Sequence, residues 1–111
     1  ALTVFHNVLE RRPRMPEAHV NMGFALLGMK KYAAARDFFN SAIDLHPAQA
    51  NAYYGLGEAL DAMGDRDGAI GAMRAFVHLA PPNDKFRVRA EAAIWELTEA
   101  RDAAKTMKKG K

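Results

Sequence analysis

The side chains able to do chemistry are few and scattered. Ser41 is the only serine. It lies near Asp44, but no histidine stands at a spacing that would activate it, and a nucleophile needs a base within hydrogen-bond reach. The four histidines, His6, His19, His46 and His78, form no HxxxH pair of the kind that aims two imidazoles from one helix face at a metal. There is no cysteine, which excludes a thiolate nucleophile, a thiolate zinc site, an iron–sulfur cluster and a disulfide framework. The run Gly64-Asp65-Arg66-Asp67-Gly68 hints at a calcium loop. Met63 stands where its first carboxylate belongs, however, and no glutamate closes it, so a capped turn between helices accounts for it better. No glycine-rich phosphate loop occurs. These residues assign no catalytic group, no metal ligand and no cofactor, and the expectation is that the protein is not an enzyme.

The framework around them is that of an ordinary folded domain. The 111 residues are 50% apolar and 26% charged, enough for one domain and not for two. The net charge of +3 is uneven. Setting aside Lys105, Lys108, Lys109 and Lys111 leaves 12 basic residues against 13 acidic. A basic tail can touch nucleic acid or an anionic surface. Four lysines are sparse for that purpose and suit the end of a helix dipole, so nucleic acid is not the expected partner. No apolar stretch approaches the roughly eighteen residues of a membrane span, and the N-terminus lacks the pattern of a signal peptide. These features name no compartment. The first residue is Ala1 rather than Met, which raises the expectation of a piece cut from a longer protein.

Self-comparison at a shift of 34 residues is informative. Residues 16–49 and 50–83 are identical at eight positions, among them Gly23/Gly57, Ala35/Ala69, Leu45/Leu79 and Pro47/Pro81. Phe5, Leu9 and Pro13 fall one period before Phe39, Ile43 and Pro47, so residues 1–15 read as the second helix of a truncated repeat. Each full repeat reads as two helices. The spacing predicts helices near 1–12, 16–28, 32–46, 50–62, 66–80 and 84–107. Asp65 is a candidate N-cap, and each second helix ends before proline, which cannot continue a helix. Residues 84–107 read as one long helix with an apolar line at Phe86, Ala90, Ala93, Ile94 and Leu97 and a polar outer face; 108–111 form the basic tail. Gly23 and Gly57 cost helix propensity, about 1 kcal/mol each. That cost makes sense where a partner helix comes close, with Phe39 and Met73 filling the space between. Phe76 stands where the first copy has Ala42, and small Ala90 and Ala93 make room for it.

The pattern His19, Met22, Gly23, Leu26, Ala35, Phe39 and Pro47, repeated as Tyr53, Leu56, Gly57, Leu60, Ala69, Met73 and Pro81, resembles the tetratricopeptide repeat. The resemblance implies an all-α fold, a right-handed solenoid of helix-turn-helix repeats closed by a C-terminal capping helix, spanning 1–111 as a single domain. It also implies a non-catalytic protein-interaction module, an adaptor or scaffold, that holds a peptide or protein segment in a concave groove lined by first helices.

By that resemblance the groove residues are Glu17, Val20, Asn21, Phe24 and Leu27 from the first helix, and Asn51, Tyr54, Glu58 and Asp61 from the next. Lys85, Val88, Arg89, Ala92 and Trp95 come from the cap. One branch of the family grips a C-terminal carboxylate with lysines, asparagines and an arginine. Lys85 and Arg89 match two of its five places, while Val20, Phe24 and Gly55 depart from the other three, which argues against that specificity. His19 sits in a bulky packing slot and is expected in the core. An alternative function is self-association. The helix carrying Leu2, Phe5 and Leu9 has one side for the next repeat and another with no partner in this chain, which predicts a homo-oligomer.

Overall fold

The computed structural model describes residues 15–109, with side chains through Thr106. The expected helix near 1–12, with Leu2, Phe5 and Leu9, lies outside the described residues. The five helices are α1 (Pro16–Gly28), α2 (Tyr32–Leu45), α3 (Ala50–Ala62), α4 (Arg66–Leu79) and α5 (Arg87–Lys109). No strand occurs among the described residues. The molecule is an all-α helical-repeat solenoid: α1 pairs with α2, α3 with α4, and α2 and α4 each pass the chain to a following helix that packs against them.

Local chemistry sets the boundaries. Pro16 opens α1, where its missing N–H costs nothing because a first-turn amide has no intrahelical partner. Lys30 and Gly64 turn the chain out of α1 and α3 in left-handed geometry. Asp65 caps α4 as expected, its Oδ1 accepting from the Gly68 N–H at 2.9 Å. α2 and α4 end one residue earlier than expected. His46 and Ala80 leave the helix with ψ of 89° and 144°, because a following proline disfavours helical geometry in the residue before it. α5 starts at Arg87 rather than at residue 84. The Asp84 side chain accepts from the Phe86 N–H at 2.8 Å, a local turn that competes with helix, and the Arg87 guanidinium donates to the Ala80 carbonyl at 3.0 Å.

The core follows the repeat logic. Phe39 is fully buried, and its ring occupies the notches left by Gly23 on α1 and Gly55 on α3. Gly57 makes the equivalent notch for the Met73 side chain. Phe76 packs with Met73, Ala80 and Ala90, with Ala93 and Ile94 against them. Small residues on α5 therefore receive the large one on α4. Ala69, Ile70 and Leu97 continue the seam. His19, expected in the core, is only half-buried, its ring 5.9 Å from the Phe38 ring centroid.

Two expectations for the cap need correction. Phe86 precedes α5 and leaves the Ala90–Leu97 packing line, because the Asp84 turn holds the chain out of helix there. The outer face of α5 is also not wholly polar: Val88 is 75% and Trp95 67% exposed.

Candidate functional site

A cleft of about 650 Å³ opens between α1, α3 and the start of α5. Asn51, Tyr54 and Glu58 reach it from α3, at the i, i+3, i+7 spacing that puts side chains on one helix face. Phe24 comes from α1, Phe76 from α4, Asp84 and Phe86 from the turn before α5, and Arg89 from its first turn. Ala48, Gln49 and Ala50 complete the wall.

Aromatic rings form its floor. Tyr54 stands edge-on to Phe76 at 5.1 Å between centroids and tilted against Phe86 at 5.4 Å. Phe24 meets the buried Phe39 edge-on at 4.9 Å. These offset geometries suit the ring quadrupoles and hold the rings in place. The rim is polar. Gln49 Nε2 donates to Asn51 Oδ1 at 2.8 Å, and the Gln49 Oε1 lies 2.9 Å from His46 Nδ1. Arg89 lies over the Phe86 ring at 5.8 Å and Lys85 at 5.4 Å, both within cation–π range.

The walls also perturb the titrating groups. Burial pushes the Tyr54 phenol above its ordinary value, the Glu58 charge adds to the rise, and Arg89 opposes it by hydrogen bond and charge. Desolvation likewise raises the Glu58 carboxyl, with Arg89 again opposing. Glu58 is exposed by area yet stands beside a poorly hydrated wall, which disfavours its charged form. Arg89 is thus the cation that both acidic groups face. The arrangement can seat a bulky apolar side chain on the rings while the rim supplies two carboxylates (Glu58 and Asp84), one guanidinium and two amides. No group of three or more His, Cys, Asp or Glu residues that could hold a metal occurs among the described residues.

Of the residues the sequence pointed to, Phe24, Asn51, Tyr54, Glu58 and Arg89 meet in this cleft. Lys85 lies beside it, in a smaller indentation shared with Phe86 and Arg89. Val20 does not belong to the surface: it is 1% exposed and part of the core around Phe39, so it offers a ligand nothing. Leu27 packs half-buried against the same core. Asn21 and Asp61 are exposed but do not line the cleft, nor does Trp95, which points outward from α5. Phe76 is the buried packing residue the sequence predicts and lies beneath the cleft, whereas the part played by the exposed Phe86, also read as packing, was missed.

A solenoid of paired helices with a cleft facing its first helices is the architecture of helical-repeat binding proteins. The tetratricopeptide repeat family matches residues 26–90 and, through a second profile of the family, residues 1–50; the chain belongs to this family. The first tetratricopeptide domain of Spaghetti (RPAP3), solved bound to the HSP90 peptide SRMEEVD, is similar in fold, with TM-score 0.83 at 22% identity over 92% of this chain and 80% of that one. The TPR2B domain of yeast Sti1, solved as a complex with an Hsp70 peptide, gives TM-score 0.83 at 18% identity over 90% of this chain and 82% of that one. MamA gives TM-score 0.82 at 28% identity over 91% of this chain; the chain spans 57% of MamA's length. A comparison with curated proteins finds no match. The tetratricopeptide fold is generally a non-catalytic protein-interaction fold. No described helix is long and apolar enough to cross a membrane.

Proposed function

We propose that the cleft between α1, α3 and α5 binds a peptide or extended protein segment, seating one large apolar side chain on the Tyr54–Phe76–Phe86 floor. The observation that carries this reading is the cleft itself, about 650 Å³ walled by the Tyr54 and Phe86 rings with the buried Phe76 ring beneath them, the size of pocket that takes a bulky group. Solved relatives with this fold hold peptides, which supports the same use here. Asn51 and Gln49 supply amides suited to a ligand backbone, while Glu58 and Arg89 favour a segment carrying both signs of charge over a purely acidic tail. The departures at Val20, Phe24 and Gly55 argue against a carboxylate-gripping site.

An array of short peptides of random composition tests the reading. Bound peptides should share a large apolar or aromatic residue, and Tyr54→Ala and Phe86→Ala should each weaken them about tenfold, as loss of a buried aromatic anchor does. Peptides bound equally well by both variants would place the site elsewhere.

A further inference from the structure

The two amides on the cleft rim, Gln49 and Asn51, end a short hydrogen-bonded chain that begins outside the cleft. The turn between α2 and α3 is closed by the Gln49 N–H donating to the His46 carbonyl at 3.0 Å. Tyr53 on α3 pins the same turn, its hydroxyl donating to the Pro47 carbonyl at 3.0 Å. The His46 and Gln49 side chains therefore meet: His46 Nδ1 lies 2.9 Å from Gln49 Oε1, and Gln49 Nε2 donates to Asn51 Oδ1 at 2.8 Å. An amide oxygen only accepts, so the imidazole carries a proton on Nδ1 in this arrangement. With Asn51 Oδ1 engaged, the Asn51 Nδ2 group is what remains to meet a bound segment. Every link runs the same way, from the ring to the cleft.

From this chain we infer that His46, which does not line the cleft, is a positioning residue for it: through Gln49 it makes Asn51 a donor to a backbone carbonyl of the bound segment. This rests on the peptide-binding reading of the cleft. A neutral imidazole has one donor and one acceptor nitrogen. With its proton on Nε2, Nδ1 accepts, Gln49 turns its amide over, and Asn51 presents its oxygen instead. An imidazolium donates from both nitrogens, which forbids the reversed chain. Protonation of His46 thus fixes the direction, and a carbonyl at Asn51 binds more tightly below the histidine range than above it. The charged and titrating side chains on the adjoining elements are Glu17 on α1, Asp44 on α2, Glu58 on α3, His78 on α4, and Asp84 and Arg89 at the start of α5. His46 makes no ion pair with any of them among the described residues.

End-capped array peptides with no titrating side chain are the probes, so their own charge stays constant. The Glu58→Gln chain is the background, which removes the other titrating wall of the cleft. Their affinity should be about two- to threefold higher at about pH 5.5 than at about pH 8, the factor by which the reversed chain dilutes the competent one. His46→Lys, a donor at both pH values, should bind tightly at both; His46→Phe should bind weakly at both. Without any peptide, the side-chain amide NMR signals of Gln49 and Asn51 should titrate with the His46 ring and stop doing so in His46→Phe. The inference is overturned by a pH profile that His46→Phe leaves unchanged, by His46→Lys binding no better than His46→Phe, or by an Asn51 amide that ignores the titration of the ring. Peptides that Tyr54→Ala releases while His46→Phe keeps the original profile defeat this inference alone; peptides indifferent to Tyr54→Ala defeat the cleft reading and this one with it.

Discussion

Lys30 and Gly64 stand 34 residues apart and share a left-handed backbone, with φ of 62° and 85°. Each lets the next amide reach back over the helix end. The Lys31 N–H donates to the Leu26 carbonyl, and the Asp65 N–H to the Leu60 carbonyl, both at 2.9 Å. This is the closing bond of a helix C-terminus that normally carries glycine. A side chain in that conformation costs about 1–2 kcal/mol. Lys30→Gly should therefore stabilise the chain by about 1 kcal/mol, and Gly64→Lys should destabilise it by a similar amount. Thermal unfolding of the two variants should move in opposite directions by about 4 °C each; unfolding temperatures that move together would contradict the argument.

Glycines along the helices divide by what stands over them. A Cβ on Gly55 would enter the Phe39 ring, and one on Gly57 would meet the Met73 methyl at 2.9 Å, whereas Gly71 has open space. Overpacking a rigid ring costs about 1–3 kcal/mol, and a flexible thioether can give way. The order of stability should be Gly71→Ala above wild type, Gly57→Ala slightly below, and Gly55→Ala lowest. Denaturant melts rank them. Adding Phe39→Leu to Gly55→Ala should recover part of the loss, since the smaller side chain vacates the notch.

The α4 cap offers a local test. Asp65→Ala removes the acceptor for the Gly68 N–H and should cost about 1 kcal/mol, while Asp65→Ser should retain most of the stability. Equal losses from the two substitutions would mean that the side-chain acceptor contributes nothing.

Glu58 should leave a pH signature. Its folded-state pKa is raised above the ordinary 4.5, so in the window just above that value the folded chain holds more protons than the unfolded one. The associated stability is present in full below the unfolded pKa and is lost as pH rises through the folded one. Unfolding temperatures across mildly acidic pH should thus fall less steeply with rising pH for Glu58→Gln than for wild type. Because Arg89 pulls the carboxyl down, Arg89→Ala should move the window to higher pH. An unmoved window would show that the guanidinium does not act on this carboxylate.

Most of the scaffold was legible because repetition multiplies weak signals. A lone Leu79 or Pro81 says little, but the same residue at a fixed offset, Leu45 or Pro47, marks the helix ends. The start of α5 was not legible in that way, since it depends on the Asp84 carboxylate capturing the Phe86 N–H instead of yielding to helix. The cleft was half legible. Asn51, Tyr54 and Glu58 follow from the family resemblance, which assigns them to the groove face of α3. Phe86 does not, because its spacing is that of a core residue, and only the Asp84 turn leaves its ring at the cleft instead of on the packing line. Val20 failed for the converse reason: it holds a groove position in the repeat, but the helices around it close over it.

The notch shared by Gly23 and Gly55 has a consequence for how such a chain can be cut and rejoined. Phe39 belongs to the segment that the 34-residue period assigns to the first copy, yet its ring seats in a helix of the second. The stretch that duplicates along the chain is therefore not the block that is self-contained in space. Excising residues 50–83 as a module would leave an empty socket at Gly55, and grafting them behind a foreign repeat would demand a phenylalanine at the matching place. Any recombination that respects the sequence period must still carry that ring across the junction.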